Sequence, residues 1–274
     1  MMANFKKALA NKGFVVGGCI FLAIALIALV GPLVWTVDPN AQEMTLRLSA
    51  PSPAHPFGCD DFGRDLLARV IAGARVSLGV GIAVTLATSA LGLVIGAYAC
   101  YNERLDHILM RICDGLMSIP GVLLAIALMA MMGASVWNVI IALSIVYTPS
   151  MARIVRSRAM VVKEEPFVEA LRVQGASTAR IVWLHIVPTL WRPSWCRRPS
   201  SLPRPCSQAA LVSGPGYQGA RRQLGNILQA GKNVMRKAWW MIFFPAIAII
   251  ASVLSLNLAG DGLRDALDPK TKED

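Results

Sequence analysis

Two polar stretches, set between very apolar ones, hold the residues whose types and spacing could do chemistry. The first is EEPFVEALRVQGASTARIVWLHIVP, Glu164 to Pro188. It contains Glu169-Ala170-Leu171, three further residues, Gly175, and after another twelve residues Pro188. Pro166 suits the first turn of a helix, and Glu164, Glu165 and Glu169 favour its N-terminal end, where the peptide dipoles are positive. Gly175 permits the left-handed turn that stops that helix, and Ser177 or Thr178 can cap a second one. The product is a helix-turn-helix elbow with small residues, Ala170 and Gly175, where another surface could approach closely. Its chemistry is docking rather than bond making: a contact for a soluble partner, or, more plainly, an amphipathic connector.

The second stretch gathers Asp60, Asp61, Arg64 and Asp65 around Gly63, just before an apolar block. Such a cluster could meet a partner or gate a mouth; equally it could be a local ion-pair network that caps helix ends. Other chemistry is thin. His55, His107 and His185 are scattered, and the six cysteines, Cys19, Cys59, Cys100, Cys113, Cys196 and Cys206, make no ligand pattern. No Gly-rich phosphate loop is present, so any nucleotide that drives this protein must be bound by another chain.

The apolar blocks explain how these stretches are positioned. Of 274 residues 55% are apolar and only 16% charged, and the mean hydropathy is +0.54. Crossing a bilayer takes roughly 20 apolar residues per helix. Five uncharged blocks approach that length: Phe14 to Val37, Val76 to Cys100, Leu116 to Met132, Val136 to Met151 and Trp239 to Gly260. They predict an all-α integral membrane protein with five clear spans. The runs are too long for the short alternating strands of a β-barrel. The first block follows Lys6, Lys7 and Lys12 as a signal peptide would, but it is long for that role and reads as a retained span. Gly92, Gly96, Pro149 and Pro245 fit helices packed closely on neighbours, while Pro120 with Gly121 could break a span beside a translocation path.

Basic residues orient the spans. Lys6, Lys7 and Lys12 place the N-terminus in the cytoplasm. Arg104 and Arg111 mark the next inner loop, and Arg153, Arg156, Arg158, Lys163, Arg172 and Arg180 mark the one that carries the elbow. Five spans then leave Arg264, Lys270 and Lys272 outside, against the rule, so a sixth span is expected between Leu190 and Trp239. Yet Trp191 to Arg222 has six arginines and no acid, and at a few kcal/mol per central Arg it cannot cross lipid as written. It is either a basic insert or a stretch read in the wrong frame.

The elbow spacing resembles the EAA loop of binding-protein-dependent ABC importer permeases, with Leu171 where that family usually has a second Ala. HPFGCDDFGRDLLARVIAGARVSLGVG, His55 to Gly81, resembles the signature before the second span of dipeptide/oligopeptide/nickel permeases, in the C-type subunit with an outer loop after its first span. The ending Asn257 to Pro269, NLAGDGLRDALDP, resembles that family's C-terminus. The resemblance covers residues 5–190 and 225–270. Codons allowed for Leu211 to Asn226, read one base later, can yield SFPGLGIKAPDASWG, close to the motif the family carries after its fifth span. Residues 191–224 are therefore expected to be a frame switch, which also accounts for six of the 27 basic residues without nucleic-acid binding.

The resemblance implies a six-helix transmembrane domain of the inner membrane, with the fifth span obscured. Residues 1–54 would form the N-terminal tail, first helix and periplasmic loop, and 55–274 the transmembrane domain with a cytoplasmic coupling loop at 163–188. It implies an importer of di- or oligopeptides that is not an enzyme and binds no cofactor, ATP being used by two partner ATP-binding subunits. A second homologous permease, a periplasmic solute-binding protein and membrane lipid complete the expected partners. Glu169, Ala170, Leu171, Gly175 and Pro188 would carry the coupling. Nickel or another small solute is the alternative cargo. A non-functional remnant, and a channel or secondary transporter that needs no ATPase, are the readings of other classes.

Overall fold

A single helix of 36 residues, α2 (Leu66–Tyr101), is the frame on which the other elements are hung. At 1.5 Å per residue it is about 54 Å long, well beyond the roughly 30 Å of a hydrocarbon core. Its two ends therefore reach polar regions on opposite faces. The computed structural model describes residues 11–133, 135–190 and 224–267.

In chain order the helices are α1 (Lys12–Val34), α2, α3 (Glu103–Ser118), α4 (Gly121–Met132), α5 (Val136–Lys163) and α6 (Pro166–Val173). Next comes one continuous arm of α7 (Thr178–Arg180), a π-helical turn π1 (Ile181–Ile186) and α8 (Val187–Leu190), and finally α9 (Leu224–Val234) and α10 (Trp240–Leu267). The described residues form helices and loops, with one isolated bridge between Cys59 and Asp65. Among them, four helices are long and apolar enough to cross a membrane, or five if α3 and α4 count as one bent span.

Two packing seams hold the bundle. Along the first, α2 lies on α5 so closely that a Cβ on Gly96 would sit 2.6 Å from the Ala152 carbonyl and 2.7 Å from Val155 Cβ. Small residues here let backbones approach and gain dispersion contacts where lipid offers no hydrophobic drive. Val80, Val84, Val139, Ala142 and Leu143 continue this core, with Ala125 and Met129 of α4 against it. Along the second seam, α1 runs antiparallel to α10: Gly17 meets Ser255 and Ala259, and Phe14 meets Gly262. Gly31, near the other end of α1, touches Ile71 at the start of α2.

These contacts sort the ends of the helices into two faces. One face holds the start of α1, the end of α2, the elbow and the far end of α10. The opposite face holds the end of α1, the start of α2, and Trp240, whose indole donates to the Cys59 carbonyl at 3.2 Å. Ile227 of α9 is buried there with Leu66 and Trp240. The described part of the tail thus shares a face with the start of α1, as any even number of crossings requires. The expected frame switch and fifth span, at 191–224, lie outside the described residues apart from Leu224.

Three expectations need correction. Leu116 to Met132 is not one straight span: the chain bends by 92° between α3 and α4, because Ile119 and Pro120 are extended and proline disfavours helix in the residue before it. The inner loop marked by Arg104 and Arg111 is instead the amphipathic helix α3, capped by Asn102, whose Oδ1 accepts from the amides of Arg104 and Leu105. The second span starts at Leu66 rather than Val76, and the fourth runs on to Lys163 rather than ending at Met151. In the two long helices the helix continues where charges begin, and Arg69, Arg153 and Arg156 there find carboxylate partners.

Candidate functional site

The elbow forms as its residues dictate. Pro166 opens α6 and Glu169 lies in its first turn. At the other end, the Gly175 amide donates to the Arg172 carbonyl at 2.9 Å and the Ala176 amide to the Leu171 carbonyl at 3.0 Å. That pair of bonds closes a helix only if one residue adopts the left-handed conformation, and Gly175 does so at φ +77°. Ser177, rather than Thr178, caps the following arm, its Oγ accepting from the Arg180 amide at 3.4 Å.

Helical spacing divides α6 into two faces. Val168 is fully buried, and Leu171 and Ala176 pack beside it on Cys100, Ala159, Val162, Ile181 and Ile186. Phe167, Glu169, Ala170, Val173 and Gln174 point outward, Val173 with 85% of its surface open. Leu171 is therefore an internal anchor, whereas Glu169 and Ala170 belong to the accessible face beside Gly175. Pro188 is exposed but stands in α8, beyond π1.

What stiffens the elbow is the end of α2, which sequence reasoning did not single out. Arg172 lies over the Tyr101 ring, 5.2 Å from its centroid, and its Nε donates to the Tyr101 hydroxyl at 3.0 Å. Lys163 approaches the same ring from 5.5 Å and donates to the Cys100 carbonyl at 2.9 Å. On the neighbouring turn, Trp183 of π1 donates to the Tyr98 hydroxyl at 3.0 Å and packs edge-on against its ring. Tyrosines at the end of an apolar run were the available signal, since amphipathic rings settle at membrane interfaces.

On the opposite face the charged cluster is folded inward. Asp60 has no exposed side-chain surface and accepts from the amides of Phe62 and Arg64, each at 2.8 Å, from Arg64 Nε at 2.6 Å, and from Arg69. Asp65 caps α2 through the Ala68 amide at 2.7 Å and meets His55 Nδ1 at 2.8 Å. Gly63 turns at φ +70°, and a Cβ there would collide with the Glu43 carbonyl. Of the four charged residues Asp60, Asp61, Arg64 and Asp65, Asp61 keeps the most exposure; burial first, and then the Asp60 charge, push its carboxyl above the usual range, with Arg64 pulling the other way. The arrangement is a buried ion-pair network that seats the preceding loop on the start of α2.

A second set of charges bridges α3 and α5 on the elbow side. Arg156 engages both carboxylate oxygens of Asp106, and Arg153 meets Asp114. With His107 and Arg111 these residues line a cleft of about 540 Å³.

Residues 88–273 match the family described as binding-protein-dependent transport system inner membrane component. Residues 4–51 match the N-terminal TM domain of oligopeptide transport permease C. The chain is 37% identical to the dipeptide transport system permease protein DppC of Alkalihalophilus pseudofirmus, over 98% of this chain and 89% of that one. It is 34% identical to the di/tripeptide transport system permease protein DppC of Pseudomonas aeruginosa, over 99% and 93%. With the dipeptide transport system permease protein DppC of Haemophilus influenzae the identity is 33%, over 96% and 92%.

Proposed function

Because the chain belongs to the family of binding-protein-dependent transport system inner membrane components, we propose that it is the permease subunit through which an ATP-driven importer passes short peptides. As a multi-pass inner-membrane member of that family it works with ATPase and binding-protein components. The finer assembly we infer is two ATP-binding subunits beneath it, a second homologous permease beside it, and a periplasmic solute-binding protein that delivers cargo. Nucleotide is bound by the partners. Peptide cargo rests on the relatives, whose names specify dipeptides and di/tripeptides.

The observation that carries this reading is the elbow: a small apolar face of Phe167, Ala170 and Val173, presented outward and braced from behind through Arg172 and Tyr101. Lys12, Arg104, Lys163, Arg172 and Arg180 share its face, which favours the cytoplasmic side. An ATPase that grips Glu169, Ala170 and Gly175 and then closes would push on Tyr101 and the end of α2. A braced loop moves its helices as a body; a floppy one would absorb the displacement. The helices then alternate between outward-open and inward-open arrangements.

Ala170→Arg tests it. Ala170 is exposed, so the change leaves the fold intact while placing bulk and charge on the docking face. Uptake of a labelled dipeptide should fall at least about tenfold, the equivalent of roughly 1.4 kcal/mol of docking, with the chain still inserted. Normal uptake in that variant removes the coupling role. Uptake that persists without the co-expressed ATPase would point instead to a channel or secondary transporter.

A further inference from the structure

The Asp106–Arg156 pair has a position that the docking role of the elbow does not account for. It joins α3 to α5 across 50 residues of sequence, and α3 begins at Glu103, with Asn102 alone between it and Tyr101, the ring that Arg172 and Lys163 hold. Otherwise α3 is weakly attached: Cys113 is its one buried residue, and Leu105, Ile108, Ile112 and Met117 are exposed. At its far end come Ile119 and Pro120, both extended, and the 92° bend. Two residues in extended backbone between two helices make a hinge, so α3 is free to pivot there unless something pins it.

Two ion pairs are candidates for the pin, and geometry ranks them. Asp114 and Arg153 are largely exposed, at 55% and 45% of their side-chain surface, and meet through a single contact; such pairs contribute little. Asp106 and Arg156 are 17% and 30% exposed and interlock through both carboxylate oxygens, the stronger and more directional arrangement. Asp106 also lies in the first turn of α3, where its charge suits the helix dipole. The open cleft beside the pair leaves room for α3 to tilt if the pair breaks.

We propose that Asp106 and Arg156 are positioning residues for energy coupling: they lock α3 to α5, so that displacement of the elbow reaches the bend at Ile119–Pro120 instead of being lost in the cleft. The inference rests on the importer reading above. Its test uses the full importer, this chain with its partner subunits, reconstituted in liposomes, with labelled dipeptide transported per ATP hydrolysed as the readout. Asp106→Asn and Arg156→Gln should each leave assembly and ATP turnover intact while transport per ATP falls about fivefold, within the range of pair couplings. The double variant should be no worse than either single one. If a variant with a lone charge fails to assemble, the neutral double variant is read by itself, with the same fivefold fall expected. Unchanged transport per ATP, or losses that add in the double variant, overturn the proposal. A wild-type assembly that hydrolyses ATP without moving any peptide sinks the importer reading, and the pair with it.

Discussion

Asp60 is the residue on which the loop before α2 turns. A carboxylate with no exposed surface is tolerable only because two amides and two guanidinium groups share its charge. Asp60→Asn would remove the carboxylate that Arg64 and Arg69 share, and a loss of about 3–5 kcal/mol is expected, read as a lower unfolding temperature in detergent. Its neighbour should behave oppositely. The Asp61 carboxyl titrates above its ordinary range because burial and Asp60 penalise its charge, so the folded state loses stability as pH rises through that range. Asp61→Asn should therefore raise stability at neutral pH, and the gain should vanish below about pH 4, where aspartate is protonated in either state. A loss at neutral pH would mean that the contact to Arg64 outweighs the burial. The sequence showed four charges around a glycine and left two readings of them open. Which side chains turned inward depended on Gly58 and Gly63 adopting left-handed turns, a matter of backbone path.

At the scale of elements, the hydropathy of α2 and α5 was plain but their lengths were not. A hydropathy boundary falls where charges start, whereas a helix ends where its backbone hydrogen bonds do. Arg153 and Arg156 extend α5 because Asp114 and Asp106 lie across from them. The seam these helices share sets a limit on side-chain size. Gly96→Val would force a branched side chain against Ala152 and Val155 and should cost about 1–3 kcal/mol by overpacking, visible as reduced thermal stability of the purified chain. The same change at Gly18, where nothing lies within 4 Å of an added Cβ, should have little effect. The bend between α3 and α4 was half legible: Pro120 and Gly121 marked a break, but an average over apolar residues carries no direction. The amphipathic character of α3 became meaningful once its polar side was found facing α5.

For the whole molecule, the antiparallel seam of α1 and α10 and the length of α2 give two faces with testable addresses. A cysteine placed at Phe62 should react with an impermeant thiol reagent in intact cells, and one at Val173 only after the inner membrane is opened. Labelling of Val173→Cys from outside would invert the topology and end the coupling role of the elbow. The residues alone determined that this is a bundle of apolar helices, where its basic face lies, and that Glu164 to Pro188 makes an elbow. Those features depend on composition and on contacts within a few residues, which a linear pattern records. Only the tertiary structure decided that Tyr101 braces the elbow, that Asp60 is buried, that α3 turns away from α4, and that α10 ends beside the start of α1. Each of these is a meeting of residues far apart in the chain, or a direction of travel, and such relations arise from packing in three dimensions.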